Sequence, residues 1–187
     1  MNIFYLHKDP KTCAEMHCDK HVCKMIIEYA QLMCTAHRVI DGEHYEGRTA
    51  NNRRIARWKH PLENHEKLLY KASHIKHPSN LWVRESQNHY NWLYEMWEHL
   101  CYEYTNRYGK VHMTDLKLRG ILASSPMQID VKTFVDPYLA MPNDVKQTNV
   151  VEAYKNYYIN YKKDFAKWTK RPTPKFMNFE THAGYAS

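Results

Sequence analysis

The chain has 187 residues, 43% of them hydrophobic, which is long enough for one domain with a real core and too short for two comfortable ones. Its 27 Lys and Arg against 20 Asp and Glu give a formal net charge of +7, which favours a polyanionic partner but also suits a solvated surface. Only 5 Gly and 8 Pro stand beside 15 Tyr, 5 Trp and 13 His, a composition that disfavours disorder and leaves few helix breakers.

The opening residues MNIFYLHKDP lack a basic stretch followed by an apolar run, and no apolar run approaches the roughly 18 residues that a membrane span requires. The expectation is a soluble protein of the cytoplasm with no membrane partner. The 5 cysteines show no CxxC spacing, and Cys13, Cys18 and Cys23 fan round a helix instead of converging, which argues against a disulfide framework or a finger-type zinc site.

Residues 2–6, NIFYL, read as a short strand or an extended lead-in. Asp9 then caps, and Pro10 takes the first position of a helix running to about Arg38, with Gly42 beyond its end. Two Lys-His-Pro sequences, at Pro61 and Pro78, read as further helix starts, and Gly109 is the stop of the longer helix. A short helix fits Thr114–Leu122. Residues 123–149 carry prolines and no sustained period, so they read as a long irregular loop and candidate substrate flap. A last helix covers about Val150–Lys170, stopping before Pro172. The expected fold is all-α: a single-domain helical bundle over residues 1–187, with at most a minor N-terminal strand and a less ordered tail over 172–187.

The first helix is unusual. His17, His21, Lys24, Glu28, Gln31 and Thr35 fall within an arc of about 80°, while most of the remaining perimeter from Val22 onward is apolar. A thin polar line on a broad apolar surface reverses the ordinary surface helix, so its charges must be paired or face a cleft. As a cleft wall it offers His21, Lys24 and Glu28 as catalytic groups, with Lys24 binding an oxyanion, Glu28 acting as base or orienter and His21 as acid/base; Gln31 would join in substrate binding. As an exposed edge it offers only an i,i+4 ion pair between Lys24 and Glu28.

His17 and His21 stand at i and i+4 and can share a metal ion, with His7, His37, His60, His74 or His77 completing the shell. A divalent transition metal is therefore the cofactor that the pattern admits, although bonded or surface histidines are the commoner outcome. Arg84, Asn88 and Asn91 repeat the spacing on the third helix, suiting a phosphate and a base edge, or else the wet side of a surface helix. In the last helix Lys155, Lys162, Lys163 and Lys167 interleave with aromatic residues, as on a nucleic-acid-binding surface or a core helix with a solvated side. No Walker loop, dinucleotide fingerprint or GxSxG elbow is present, which disfavours ATP-driven, NAD-dependent and serine-hydrolase chemistry.

The stretches MNIFYLHKDP, CDKHVCKMIIEYAQLMCTAHRVIDG, HPSNLWVRESQNHYNWL, EYTNRYGKVH, AMPND and AYKNYYINYKKDFAKW together resemble a conserved hypothetical small protein of tailed bacteriophages, over nearly the whole chain. The resemblance implies context and no particular activity: a phage product in the host cell cytoplasm, with nucleotides, nucleic acid or host-defence signals as its ligands. Three expectations follow. The first is an enzyme acting on a nucleotide or nucleic-acid base, its polar stripe facing the Arg84 and Asn91 wall. The second is a metal-dependent hydrolase using the histidine pair. The third is a non-catalytic binder of DNA or of a phosphate-bearing signalling nucleotide.

Overall fold

The computed structural model describes residues 2–178. Residues 2–6 are extended and unpaired, not a strand, and Ile3, Phe4, Tyr5 and Leu6 are buried against the helices. Asp9 caps as expected, its carboxylate accepting the Thr12 N–H at 2.8 Å, and Pro10 opens α1, Pro10–Met16. The expected continuous helix to Arg38 is interrupted at His17 and Cys18, and α2, Asp19–Asp41, starts afresh. The buried guanidinium of Arg107 draws the chain out of helical geometry there. It donates to the carbonyls of Glu15 (3.1 Å) and His17 (2.8 Å) and to the Asp19 carboxylate (3.0 Å), supplying partners for groups that a helix break would orphan.

Beyond the cap at Gly42 the all-α expectation fails locally. Two antiparallel strands, β1 Glu43–Arg48 and β2 Arg54–Lys59, form a ribbon in the stretch ahead of Pro61, which the sequence reading leaves without an element. Asn52 turns the corner at a φ of 63°, a conformation Asn tolerates better than most residues. The helix announced by Pro61 is only α3, Glu63–Leu68.

The third expected helix is also two. α4, Pro78–Glu85, ends at Ser86, whose hydroxyl donates to the Lys132 carbonyl, accepts the Lys132 N–H and caps α5, Gln87–Tyr108, by accepting the Asn88 N–H at 3.2 Å. Gly109 stops α5 with a φ of 69°, the left-handed cap expected of it. α6, Met113–Leu122, matches expectation, and its N-cap is a histidine: His112 Nδ1 accepts the Thr114 N–H, as His77 Nδ1 accepts the Ser79 N–H before α4. In Lys-His-Pro at residues 76–78 the histidine is therefore the cap and proline the first helical residue.

The 123–149 segment is irregular except for a 3₁₀ turn at Asn143–Val145, but it is pinned and not built as a loose flap. Asp41 accepts the Met127 and Gln128 N–H groups, His89 the Val135 N–H, and Asp136 the Tyr5 hydroxyl. α7, Val150–Tyr161, stops well short of Lys170. The chain after it is held across α2, where the Asp19 N–H donates to the Lys167 carbonyl and the Asp19 carboxylate accepts the Thr169 N–H and hydroxyl. Residues 172–178 pack on the body through Phe176 and Met177, while the rest of the expected tail lies outside the described residues.

The core gathers around α2 and α5, with Trp82, Trp97, Tyr29, Tyr90 and Tyr158 fully enclosed. Each large apolar side chain so buried contributes about 1.5–3 kcal/mol. Their polar ends are satisfied too: the Trp97 indole donates to the Ile26 carbonyl at 2.9 Å. All five cysteines are free, and among the described residues no helix is long and apolar enough to cross a membrane.

Removing Arg107 would leave two carbonyls without this donor and take the buried countercharge from Glu103 and Asp19, which keep only their contacts with Arg171 and Thr169 among the described residues. Arg107→Ala is expected to lower unfolding free energy by about 3 kcal/mol or more, whereas Arg171→Ala, on the exposed side of the same Glu103, should cost under about 1 kcal/mol. Denaturant unfolding of the two variants checks the order, and equal losses would contradict it.

Candidate functional site

Most of α2 is buried, and the reversed pattern is present as expected. His21, Lys24 and Glu28 do share a cleft, of about 160 Å³, with Asn2, Phe4, Met25, Tyr157 and Lys162. Lys24 and Glu28 pair at 3.2 Å, with the lysine side chain 63% exposed and the carboxylate deeper at 22%. His21 is packed face to face on Phe4 (4.3 Å between centroids), and its Nδ1 lies 2.5 Å from the Tyr158 hydroxyl. Burial first, then the charges of His17 and the neighbouring lysines, hold its pKa down at about 2. A ring that stays neutral throughout the physiological range is a poor proton shuttle and a good fixed hydrogen-bonding wall. Gln31 braces the fold instead of a ligand, donating to the Lys71 carbonyl at 2.7 Å.

The expected opposing wall is elsewhere. Because Ser86 breaks the helix, Arg84 and Asn88 lie on different elements, and neither they nor Asn91 line the cleft. Arg84 donates to the carbonyls of Asn80 and Ile75, and Asn88 to that of Lys132, while Asn91 is exposed. Of the expected basic line, Lys155 pairs with Glu152 at 2.9 Å and Lys162 covers the Tyr157 ring. Lys163 and Lys167 are exposed beyond the end of α7.

His17 and His21 do not form a metal pair. His17 closes a relay in which the Phe4 N–H donates to the Tyr29 oxygen, the Tyr29 hydroxyl to His17 Nε2 (2.7 Å), and His17 Nδ1–H to the Cys13 carbonyl (2.8 Å). Both of its ring nitrogens are thereby occupied.

Two features went unread in the sequence. The ribbon is the first: side chains on both of its faces meet water, with Arg48, Arg53, Arg54 and Lys59 exposed and Arg57 half-buried. The dipeptide Asn51-Asn52 ahead of the β-branched and aromatic Ile55 and Trp58 was the available turn-and-strand signal. The second is a histidine cluster at its base, His37 and His60 buried and His65 half-buried, whose rings lie 4.7–6.1 Å apart beside Asp41; the sequence reading admits His37 and His60 only as completing a shell around His17 and His21. His37 and Asp41 stand at i and i+4 on α2, the very spacing sought upstream at His17 and His21.

The chain matches no protein-family model, no curated protein and no solved structure.

His17 and His37 are both held down to about 4, and His21 lower still, in each case chiefly by burial. The unfolded chain takes up these protons near the ordinary value of 6.5 while the folded chain refuses them, so their contribution to stability is complete above about pH 6.5 and lost as pH falls toward 4. The urea midpoint should fall steadily from pH 6.5 to 4.5, steeply enough to report more than one proton per chain. A flat profile in that window would show that these rings are not buried neutral.

Proposed function

We propose that this protein binds nucleic acid through the β1–β2 ribbon, as a non-catalytic binder. The supporting observation is the ribbon's construction. It carries five basic side chains, Arg48, Arg53, Arg54, Arg57 and Lys59, against two acidic ones, Glu43 and Glu46. A lone two-stranded ribbon wetted on both faces is marginal as a folding unit. Here the cross-strand register also sets Arg48 directly opposite Arg54, a like-charge arrangement that opposes pairing. Such a pair has a physical use when a polyanion lies across it.

The dimensions agree, since the major groove of duplex DNA admits a two-stranded ribbon. Alternation places His44, Glu46, Arg48, Arg54, Ala56 and Trp58 on one face and Tyr45, Arg57 and Lys59 on the other, so each face offers basic and aromatic groups together. Arg54 pairs with Glu46 at 3.4 Å with 74% of its side chain exposed, a weak surface tether that it can exchange for a phosphate. The His21–Lys24 cleft is smaller than the roughly 300–1,000 Å³ usual for small-molecule sites. Its volume suits a phosphate better than a base, which weakens the reading of an enzyme acting on a base there.

Binding of a fluorescent DNA duplex, followed by anisotropy across a salt series, tests the proposal. Affinity should fall steeply with salt, and Arg48→Gln, Arg54→Gln and Arg57→Gln should each flatten the log–log slope by about 1. Lys163→Gln and Lys167→Gln serve as the competing arm. If only those two flatten the slope, the basic surface beyond α7 is the contact and the ribbon is not; salt-independent binding, or none, removes the nucleic-acid reading altogether.

A further inference from the structure

The histidine cluster has a specific defect. His37 Nδ1, His60 Nε2 and His65 Nδ1 are buried with no hydrogen-bond partner. Buried polar atoms are nearly always satisfied, and three orphaned ring nitrogens in one place require a cause. Asp41 does not supply it, because its nearest approach to His60 Nε2 is 3.8 Å, too long for a hydrogen bond.

The tautomers narrow the cause. Tyr90 donates its hydroxyl proton to the Leu122 carbonyl at 3.0 Å, so the 2.9 Å contact between His37 Nε2 and the Tyr90 oxygen has the histidine as donor. His37 Nδ1 is then the unprotonated nitrogen, and it has no hydrogen-bond partner among the described residues. A ring whose far N–H is held by a hydrogen-bonded neighbour is the usual setting of a metal-ligating histidine. The carboxylate is oriented as well, since each Asp41 oxygen accepts one loop N–H, from Met127 at 2.8 Å and Gln128 at 3.0 Å, and keeps a lone pair. His60 is fixed through its backbone N–H, which donates to Glu66 at 2.7 Å.

We infer that His37, Asp41 and His60, each of which offers a ligand atom within 4.8 Å of the others, bind a divalent first-row transition ion, with the unpartnered His37 Nδ1 and His60 Nε2 as its nitrogen ligands and His65 beside them as a further donor. Imidazole and carboxylate donors together suit zinc and its neighbours and not calcium or magnesium. Binding has a definite requirement at His60. Its Nδ1 accepts the Leu62 N–H at 3.1 Å, which places the ring proton on Nε2; to ligate, the ring must move that proton to Nδ1 and give up the turn hydrogen bond. An ion here would join Asp41 to His60, the residues that precede and follow the ribbon, and so clamp its base. His65, beside the proposed ligands, also lines a surface cleft with Lys117, Gly120 and Ser124.

Chelator-dialysed protein titrated with Zn²⁺ and Co²⁺ tests the inference without any nucleic acid. The expected result is one ion per chain, a Zn²⁺-dependent rise in melting temperature, and cobalt bands typical of nitrogen and oxygen donors without the intense charge transfer of thiolates. Asp41→Asn and His60→Gln should each weaken binding at least tenfold, and exposed His74→Ala should leave it unchanged. Since His37 is packed into the core, His37→Ala counts only if it unfolds cooperatively. The stoichiometry, melting shift and cobalt spectrum of the wild type stand independently of any variant. Failure to take up either ion one to one, a thiolate band from the buried cysteines, or unchanged affinity in both Asp41→Asn and His60→Gln would overturn the site.

Discussion

The guanidinium of Arg38 is the point on which the end of α2 depends. It is buried, and it donates to five acceptors: the carbonyls of Trp58, Glu66, Leu69 and Tyr70 and the Glu66 carboxylate. Four of these are backbone groups in strand, helix end and irregular chain that would otherwise be buried without partners. One planar, permanently charged fork thus collects β2, α3 and the segment after it, a task that the three-donor ammonium of lysine would not match. Glu66 neutralises the charge and uses the same oxygen to hold the His60 N–H. The position of the ribbon's base, and of His60 and His65 against His37 and Asp41, follows from that grip.

Arg107 does the equivalent work at the other end of α2. It gathers the broken turn at His17 and the Asp19 carboxylate, while Glu103 shares its charge with Arg171 from the C-terminal segment. The long central helix is therefore bracketed by two buried guanidiniums, each serving carbonyls that regular structure has left behind. Arg38 stands between His37 and Val39 and Arg107 between Asn106 and Tyr108, and nothing in their spacing announces which backbone they will hold.

This explains what was legible in the sequence. Helix starts at Pro10 and Pro78, the stops at Gly42 and Gly109, and the mostly buried character of α2 rest on local chemistry within a few residues, and they were read correctly. The breaks at His17 and Ser86 depend on partners 90 and 46 residues away, Arg107 and Lys132, so helical periodicity ran straight through them. The ribbon was missed for a different reason. Its strands bury neither face, so Arg54 to Lys59 lack the clean alternation that marks a half-buried strand. In the cleft, His21, Lys24 and Glu28 come together because one helix carries them, while His17 falls at the helix break and Gln31 bonds elsewhere; the facing wall requires two helices to be aligned and cannot be read from either alone.

The histidines sharpen the same point. The composition is rich in them, and spacing alone made His17 and His21 the natural metal pair. What decides a histidine's role is the partner of each ring nitrogen. His77 and His112 spend Nδ1 on capping helices, and His17 and His89 have both nitrogens engaged by hydroxyl or backbone groups. Only where a second residue has already claimed the far nitrogen and left the near one facing other donors, as Tyr90 does for His37, does a ring acquire the electronic state and the orientation of a ligand. Two i,i+4 pairs, His17 with His21 and His37 with Asp41, look alike in sequence; the tyrosine hydroxyls that meet them occupy the ring nitrogens of the first and leave His37 Nδ1 of the second without a hydrogen-bond partner.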